Sequence, residues 1–207
     1  MRLRAWDLTI ERGGRRVISG LSFEAPEGTA LIVTGPNGAG KTSLLRALAG
    51  FLPIEAGGFA LEGGDAERTA GEQAHYLGHA DGVKVALSAG ENLAFAAAML
   101  GGDSSRSAQL EALAALGLAH VIDFPARLLS AGQRRRVALA RLMVARRPLW
   151  LLDEPTTALD GAAQAALAAI MRTQLKGGGI LLAAAHAPLG LDGARELRLG
   201  AAEGVAA

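Results

Sequence analysis

Residues 34–43 read Thr-Gly-Pro-Asn-Gly-Ala-Gly-Lys-Thr-Ser (TGPNGAGKTS). They follow the β-branched and aliphatic run Thr29–Thr34 (TALIVT). They precede a segment in which Leu44, Leu45 and Leu48 recur at helical spacing. The order is strand, glycine loop, helix. Glycines at 35, 38 and 40 let the backbone curl so that successive N–H groups face inward as an anion nest. A helix beginning near Lys41 adds its positive end at the same point. The only other lysines in this arginine-rich chain are Lys84 and Lys176. A compact ammonium at 41 serves a phosphate as a point charge, which a fork-shaped guanidinium does less well.

The chain has 207 residues, enough for one domain with a real core and room for a subdomain. A formal net charge of +1 supplies neither a basic field for nucleic acid nor an acidic tail. The absence of cysteine excludes a disulfide framework and thiol chemistry and is compatible with a reducing compartment. The opening MRLRAWDLTIERGGRR turns charged before any apolar stretch forms, so no signal peptide is expected. The apolar runs around 148–152 and 180–185 fall far short of the about 20 residues that cross a bilayer. The chain is expected to be soluble by itself and able to dock on a membrane protein.

Residues 3–10 and 17–25 read as short strands around a turn at Gly13-Gly14, with a second turn at Pro26–Gly28. TALIVT is a strand buried on both faces. A helix from Lys41 stops at Gly50. Residues 51–72 are expected to form loops and a short hairpin, and His75–Gly78 a strand. Helices are expected at 88–100, 107–116 and 130–146. Strands follow at 148–152 and 180–185, with a helix at 161–175 between them, stopped by Gly177–Gly179. No internal repeat is present, and the low-complexity tail after Gly200 is expected to fray. Alternating strands and helices argue for a mainly parallel α/β sheet, preceded by an antiparallel β part and interrupted by a helical insertion. One domain over 1–207 is expected, its core about 1–83 and 148–207 and its helical subdomain about 84–147.

Four stretches carry the chemistry. Gly35, Pro36, Asn37, Gly38, Ala39, Gly40, Lys41 and Thr42, followed by Ser43, satisfy every fixed position of G-x-x-x-x-G-K-[ST], the P-loop pattern, in its required context. The α/β sheet is accordingly read as that of a P-loop NTPase, RecA-like. Lys41 reaches the β- and γ-phosphates, and Thr42 offers its hydroxyl to Mg2+. Leu149–Glu154 (LWLLDE) is an apolar strand ending in two carboxylates. Asp153, at the carboxyl end where α/β sheets bind ligands, can hold Mg2+ directly or through water. Glu154 beside it is placed to polarise an attacking water. In Leu129–Gln133 (LSAGQ), Ser130 and Gln133 fit a capping box, and the small Ala131 and Gly132 admit a phosphate to the helix end. His186 ends the strand ILLAAA on the same rim and can hydrogen-bond a γ-phosphate. Taken singly these are a glycine-rich helix entry, an acidic turn, a capped helix and a core histidine. Their joint occurrence decides for chemistry.

Two other features have plain readings. His75 and His79 lie four apart without a cysteine, methionine or third histidine, so ligation of haem or metal is not expected. Arg134, Arg135, Arg136, Arg141, Arg146 and Arg147 spread round a helix at about 100° per residue. They are expected to be solvated or phosphate-adjacent and do not form a stripe for nucleic acid.

In this order the motifs resemble the nucleotide-binding domain of ABC ATPases over nearly the whole chain. The resemblance makes 35–42 the Walker A motif, 129–133 the signature, 149–154 Walker B, Ala158-Leu159-Asp160 the D-loop and His186 the switch histidine. It implies ATP and Mg2+ as cofactors, with Glu154, His186 and Lys41 in catalysis and Thr42 and Asp153 at the metal. It further implies a head-to-tail dimer with a second copy of the chain, each ATP held between one copy's P-loop and the other's Ser130 and Gly132. Gln133 and Asp160 join the nucleotide contacts. Tyr76-Leu77-Gly78-His79, Gly82-Val83-Lys84, Glu91-Asn92-Leu93 and LSAGQRRRVALARL (129–142) resemble more narrowly the ATP-binding subunit of the cytochrome c maturation haem exporter. That resemblance implies a peripheral place on the cytoplasmic side of the inner membrane, on integral subunits resembling CcmB and CcmC. ATP turnover would power release of a haem-loaded chaperone, CcmE, with no direct haem binding. Three positions depart from the wider family. Ala131 replaces a glycine. His79 falls where glutamine is usual, and because Mg2+ prefers oxygen ligands its expected role is water-bridged or coupling. Arg12 falls near the adenine-stacking position, where its guanidinium either stacks on the base or is a solvated turn arginine.

Three rival functions make different demands on the sequence. An ABC ATPase of ribosomes or DNA would carry two such domains or a long coiled coil. A non-hydrolysing module conflicts with an intact Lys41 and Glu154. The motor of another small exporter, of drug or lipoprotein type, differs only in the narrower stretches.

Overall fold

The computed structural model describes residues 1–200. The expected fraying of the tail past Gly200 falls outside the described residues. The chain forms two compact units. One holds Met1–Gly78, Arg147–Pro155 and, within the described residues, 171–200; the other holds His79–Arg146 and Thr156–Ile170.

The first unit opens with β1 (Arg2–Arg12) and β2 (Arg15–Pro26), joined by the two-residue turn Gly13-Gly14 that glycine makes available. β1 pairs antiparallel with β2 on one side and with β4 (Ala56–Glu62) on the other, giving the order β2-β1-β4. The expected local hairpin within 51–72 is therefore corrected. The segment contributes one strand, and its partner is the chain's first strand, which supplies a pre-formed edge that a lone glycine-rich hairpin lacks.

The second sheet has the order β5-β6-β7-β3-β8, parallel at every pairing: β3 (Ala30–Thr34), β5 (Ala74–Leu77), β6 (Leu149–Asp153), β7 (Ile180–Ala184) and β8 (Arg195–Arg198). β6 and β7 are buried at every residue, as continuous apolar strands covered on both faces must be. β8 has no counterpart among the expected strands. Its sequence, RELR, has one apolar residue, Leu197, and only pairing with β3 orders it. α1 (Lys41–Leu48) packs its buried Leu44, Leu45 and Leu48 in one core with Leu3, Leu8 and Ile10 of the antiparallel sheet and Val33, Leu151 and Leu182 of the parallel one.

The second unit contains α2 (Ala89–Leu100), α3 (Arg106–Ala114), α4 (Ala131–Val144) and the start of α5 (Gly161–Lys176). Ser88, Ser105 and Ser130 cap the first three, and Ser88–Glu91 and Ser130–Gln133 form reciprocal capping boxes. For Arg135 and Arg141 the expectation of solvated or phosphate-adjacent arginines is corrected. Arg135 is buried against Asp81, and Arg141 is largely buried and donates to the Asp81 and Gly82 carbonyls. Helical spacing alone does not reveal that the loop carrying Asp81 covers them. Among the described residues no helix is long and apolar enough to cross a membrane.

Candidate nucleotide site

The loop between β3 and α1 is shaped by what stands behind it. Gly35 has φ 138° and Gly40 φ 98°. A Cβ at 35 would lie 2.5 Å from the Leu199 carbonyl oxygen, and one at 40 would lie 2.9 Å from Ile18 Cγ1 and 3.1 Å from the Val17 oxygen. Both positions thus combine left-handed backbone with contact too close for any side chain. Gly40 is also the N-cap of α1 and offers no side chain to the first turn, so the helix keeps its leading N–H groups for an anion. Lys41 Nζ donates to the Gly35 oxygen at 2.7 Å and the Pro36 oxygen at 3.2 Å, which holds the ammonium against the loop. Gly35→Ala is expected to lower stability by about 1–3 kcal/mol and to weaken nucleotide binding. Thermal unfolding and nucleotide titration of the variant check both effects.

Thr42 Oγ1 donates to Asp153 Oδ2 at 2.8 Å, so the first turn of α1 meets the carboxyl end of β6. Asp153 is 4% exposed. One hydroxyl and one carboxylate are hard oxygen donors, in the small number that Mg2+ takes from protein when phosphate and water complete its shell. The described residues contain no cluster of three or more His, Cys, Asp or Glu for a fully protein-bound ion. Tyr76 stands near this carboxylate. Burial raises its phenol pKa, and the Asp153 charge raises it further. It therefore stays protonated as a potential donor, a role the sequence does not single out.

Glu154 is reached by continuing the ladder one residue. Asp153 pairs with Ala184, and the Glu154 N–H donates to the Ala184 oxygen at 2.9 Å. Glu154 has φ 48°, a strained state for a non-glycine residue that the surrounding sheet must impose. His186 leaves the end of β7 beside it, with Nε2 3.5 Å from Glu154 Oε1. Glu154 is 26% exposed and His186 61%, so both can meet a ligand. Lys41, Thr42, Asp153, Glu154 and His186 all belong to the first unit. Arg12 belongs there too, exposed at the β1–β2 turn opposite Arg15.

The remaining predicted residues lie in the second unit. Ser130 Oγ accepts the Gln133 N–H at 3.2 Å, and Gln133 Oε1 accepts the Ser130 N–H at 2.8 Å. The Gln133 amide oxygen thus serves the cap while its NH2 keeps its donors, and the Ser130 hydroxyl retains a proton to donate. Gly132 lies against the backbone of the 158–160 segment: a Cβ there would sit 3.0 Å from the Ala158 oxygen. Ala158 itself has φ 62°. Its neighbour Asp160 accepts the Ala163 N–H at 2.8 Å and caps α5. No spacing rule in the sequence indicates this contact between 132 and 158. His79 is exposed, whereas His75 is 5% exposed in β5 and packs edge-on to Trp150 at 6.1 Å between ring centroids.

The fold and this site define an ATP-binding domain of the P-loop class. The family model described as ABC transporter matches residues 18–157. The cytochrome c biogenesis ATP-binding export protein CcmA of Nitrobacter winogradskyi is 59% identical over 202 residues, covering 98% of this chain and 100% of that protein. The protein of the same name from Bradyrhizobium diazoefficiens is 55% identical over 200 residues, covering 97% and 98%. A putative ABC transporter ATP-binding protein from Pyrococcus furiosus shares the fold, with a TM-score of 0.82 at 21% identity over 96% of this chain and 98% of that one. The chain belongs to the ABC transporter family and, within it, to the cytochrome c biogenesis ATP-binding export proteins CcmA. It is an ATP-hydrolysing ABC subunit, and the motor of another small exporter is not favoured.

Proposed function

We propose that the chain hydrolyses MgATP at the rim formed by α1, β6 and β7, and that this turnover drives release of a haem-loaded chaperone in cytochrome c assembly. The observation that carries the chemistry is the placement of Thr42–Asp153 and Glu154–His186 beside one phosphate loop. The 34–41 backbone and Lys41 hold the β- and γ-phosphates. Thr42 and Asp153 would hold Mg2+, which when bound neutralises phosphate oxygens. Glu154 accepts a hydrogen bond from the attacking water and orients it, and His186 donates to the γ-phosphate. Gly35, Pro36, Asn37, Gly38, Ala39, Gly40 and Ser43 line the phosphate path. Arg12 borders the adenine from the β1–β2 turn, and His79 acts through water or by coupling.

The site is completed by a second copy, head to tail, whose Ser130 and Gly132 present a capped helix end to the γ-phosphate. Gln133 supports that end, and Asp160 orders the neighbouring segment. The dimer sits on the cytoplasmic side of the inner membrane, against integral subunits resembling CcmB and CcmC, and acts indirectly on the chaperone CcmE. The name shared by the relatives supports this pathway. A tagged chain recovered from its own solubilised membranes should bring down small multispan proteins and a haem-bearing chaperone, read by mass spectrometry and haem absorbance. The chaperone should leave on addition of ATP and Mg2+, and should stay when Glu154→Gln replaces the wild type. Recovery of a different permease without haem would retain the ATPase and discard the pathway.

A further inference from the structure

The loop segment at 81–82 is fastened to α4 from two points. Arg135 Nη1 meets Asp81 Oδ1 at 3.1 Å, with the arginine side chain 4% exposed. Arg141 Nη2 donates to the Asp81 oxygen at 2.6 Å and Nη1 to the Gly82 oxygen at 3.3 Å, while its Nε donates to the Ala138 oxygen of its own helix. Burial lowers the Arg141 pKa, the Asp81 charge opposes that shift and Arg135 adds to it. For one buried and one largely buried guanidinium on the same helix, the carboxylate and carbonyls of this segment offset part of the desolvation cost. The following residues are tied as firmly. Buried Asn92 accepts the Lys84 N–H at 2.7 Å and donates to the Lys84 and Ser88 oxygens at 3.0 and 2.8 Å. The strap from 81 to 88 is therefore bonded to α4 at Asp81 and Gly82 and to α2 at Lys84 and Ser88.

α4 is the helix whose capped N-terminus carries Ser130 and Gly132, and Arg135 lies little more than one turn from that cap. At the other end of the strap, two residues before Asp81, stands His79. We infer that Asp81, Arg135 and Arg141 are positioning residues that lock the 79–82 segment to α4, Arg135 near its Ser130 end and Arg141 in its last turn, so that a displacement of the segment moves the helix that carries Ser130. The inference rests on the proposed ATPase chemistry, in which Ser130 meets the γ-phosphate. Other exposed acids and arginines of this unit, such as Arg106 and Asp123, pair on the surface and fasten no loop to α4.

The test is a double-mutant cycle on the full chain with Asp81→Asn and Ser130→Ala. It reads steady-state ATPase kcat and KM, the affinity of a fluorescent ATP analogue for the isolated chain, and thermal unfolding. Asp81→Asn should lower kcat about tenfold while leaving analogue affinity within about twofold, because the phosphate loop is untouched. In the Ser130→Ala background the same change should cost less than about twofold more, since both act through one contact. Asp81→Glu, which keeps the charge, should recover most of the loss. Wild-type kcat in Asp81→Asn, or effects that multiply in full with Ser130→Ala, would overturn the positioning role and leave the ATPase intact. An unchanged kcat in Ser130→Ala alone would sink the role of Ser130, and the clamp's function with it. Should Asp81→Asn not yield folded protein, Arg135→Lys keeps the charge and loses the fork. It enters the same cycle, where a loss of kcat absorbed by Ser130→Ala supports the clamp and a wild-type kcat overturns it.

Discussion

Glu154→Gln is expected to bind ATP as the wild type does and to hydrolyse it at least about 100-fold more slowly. The amide is nearly isosteric with the carboxylate, so the strained backbone at 154 and its N–H bond to Ala184 have no reason to change. What is lost is a negative acceptor for the proton of the attacking water. The contact with His186 is weakened at the same time, because an amide oxygen attracts an imidazole N–H less than a carboxylate does. Phosphate binding, proposed for the loop and Lys41, should survive. Single-turnover hydrolysis beside calorimetric titration separates the two effects. Near-wild-type turnover would remove Glu154 from the chemistry and leave its φ of 48° without a functional reason.

Lys41→Ala is expected to weaken ATP binding by about 10- to 100-fold, the range for losing charge-assisted hydrogen bonds to a phosphate. The ammonium is held at 2.7 Å from the Gly35 oxygen, so the loop's own backbone positions it. Its removal leaves the backbone N–H groups and the α1 terminus, which explains why some affinity should persist. Lys41→Arg should not restore it fully. A planar fork does not reproduce a compact point charge held at 2.7 and 3.2 Å from the Gly35 and Pro36 oxygens. Calorimetry on both variants decides. Unchanged affinity in Lys41→Ala would show that the loop does not cradle phosphate.

The parts of the site that are legible in the sequence are those where local rules and function coincide. The glycine loop demands left-handed backbone, and only glycine supplies it cheaply. β6 and β7 announce themselves as unbroken apolar runs because both of their faces are covered. The Ser130–Gln133 box is readable because both partners lie within one turn. Legibility fails wherever a partner is distant along the chain. β8 carries one buried residue and owes its order to β3, more than 160 positions earlier. β4 finds its mate in β1, not in a neighbour. Arg135 and Arg141 look like surface charges until Asp81, more than 50 residues before them, covers them.

By itself the sequence determined that this chain is an α/β nucleotide-binding protein, which glycine loop leads into α1, and which carboxylates end the strand β6. Those features depend on backbone conformations and burial patterns that single residues impose. The tertiary structure alone decided that Thr42 faces Asp153 and that His186 comes within 3.5 Å of Glu154. It alone decided that Gly132 lies close against the Ala158 carbonyl, and that two arginines of α4 hold a distant loop. Each of these is a contact between segments far apart in sequence. Such contacts are set by strand order and by which helix face is buried, and no residue type encodes them locally.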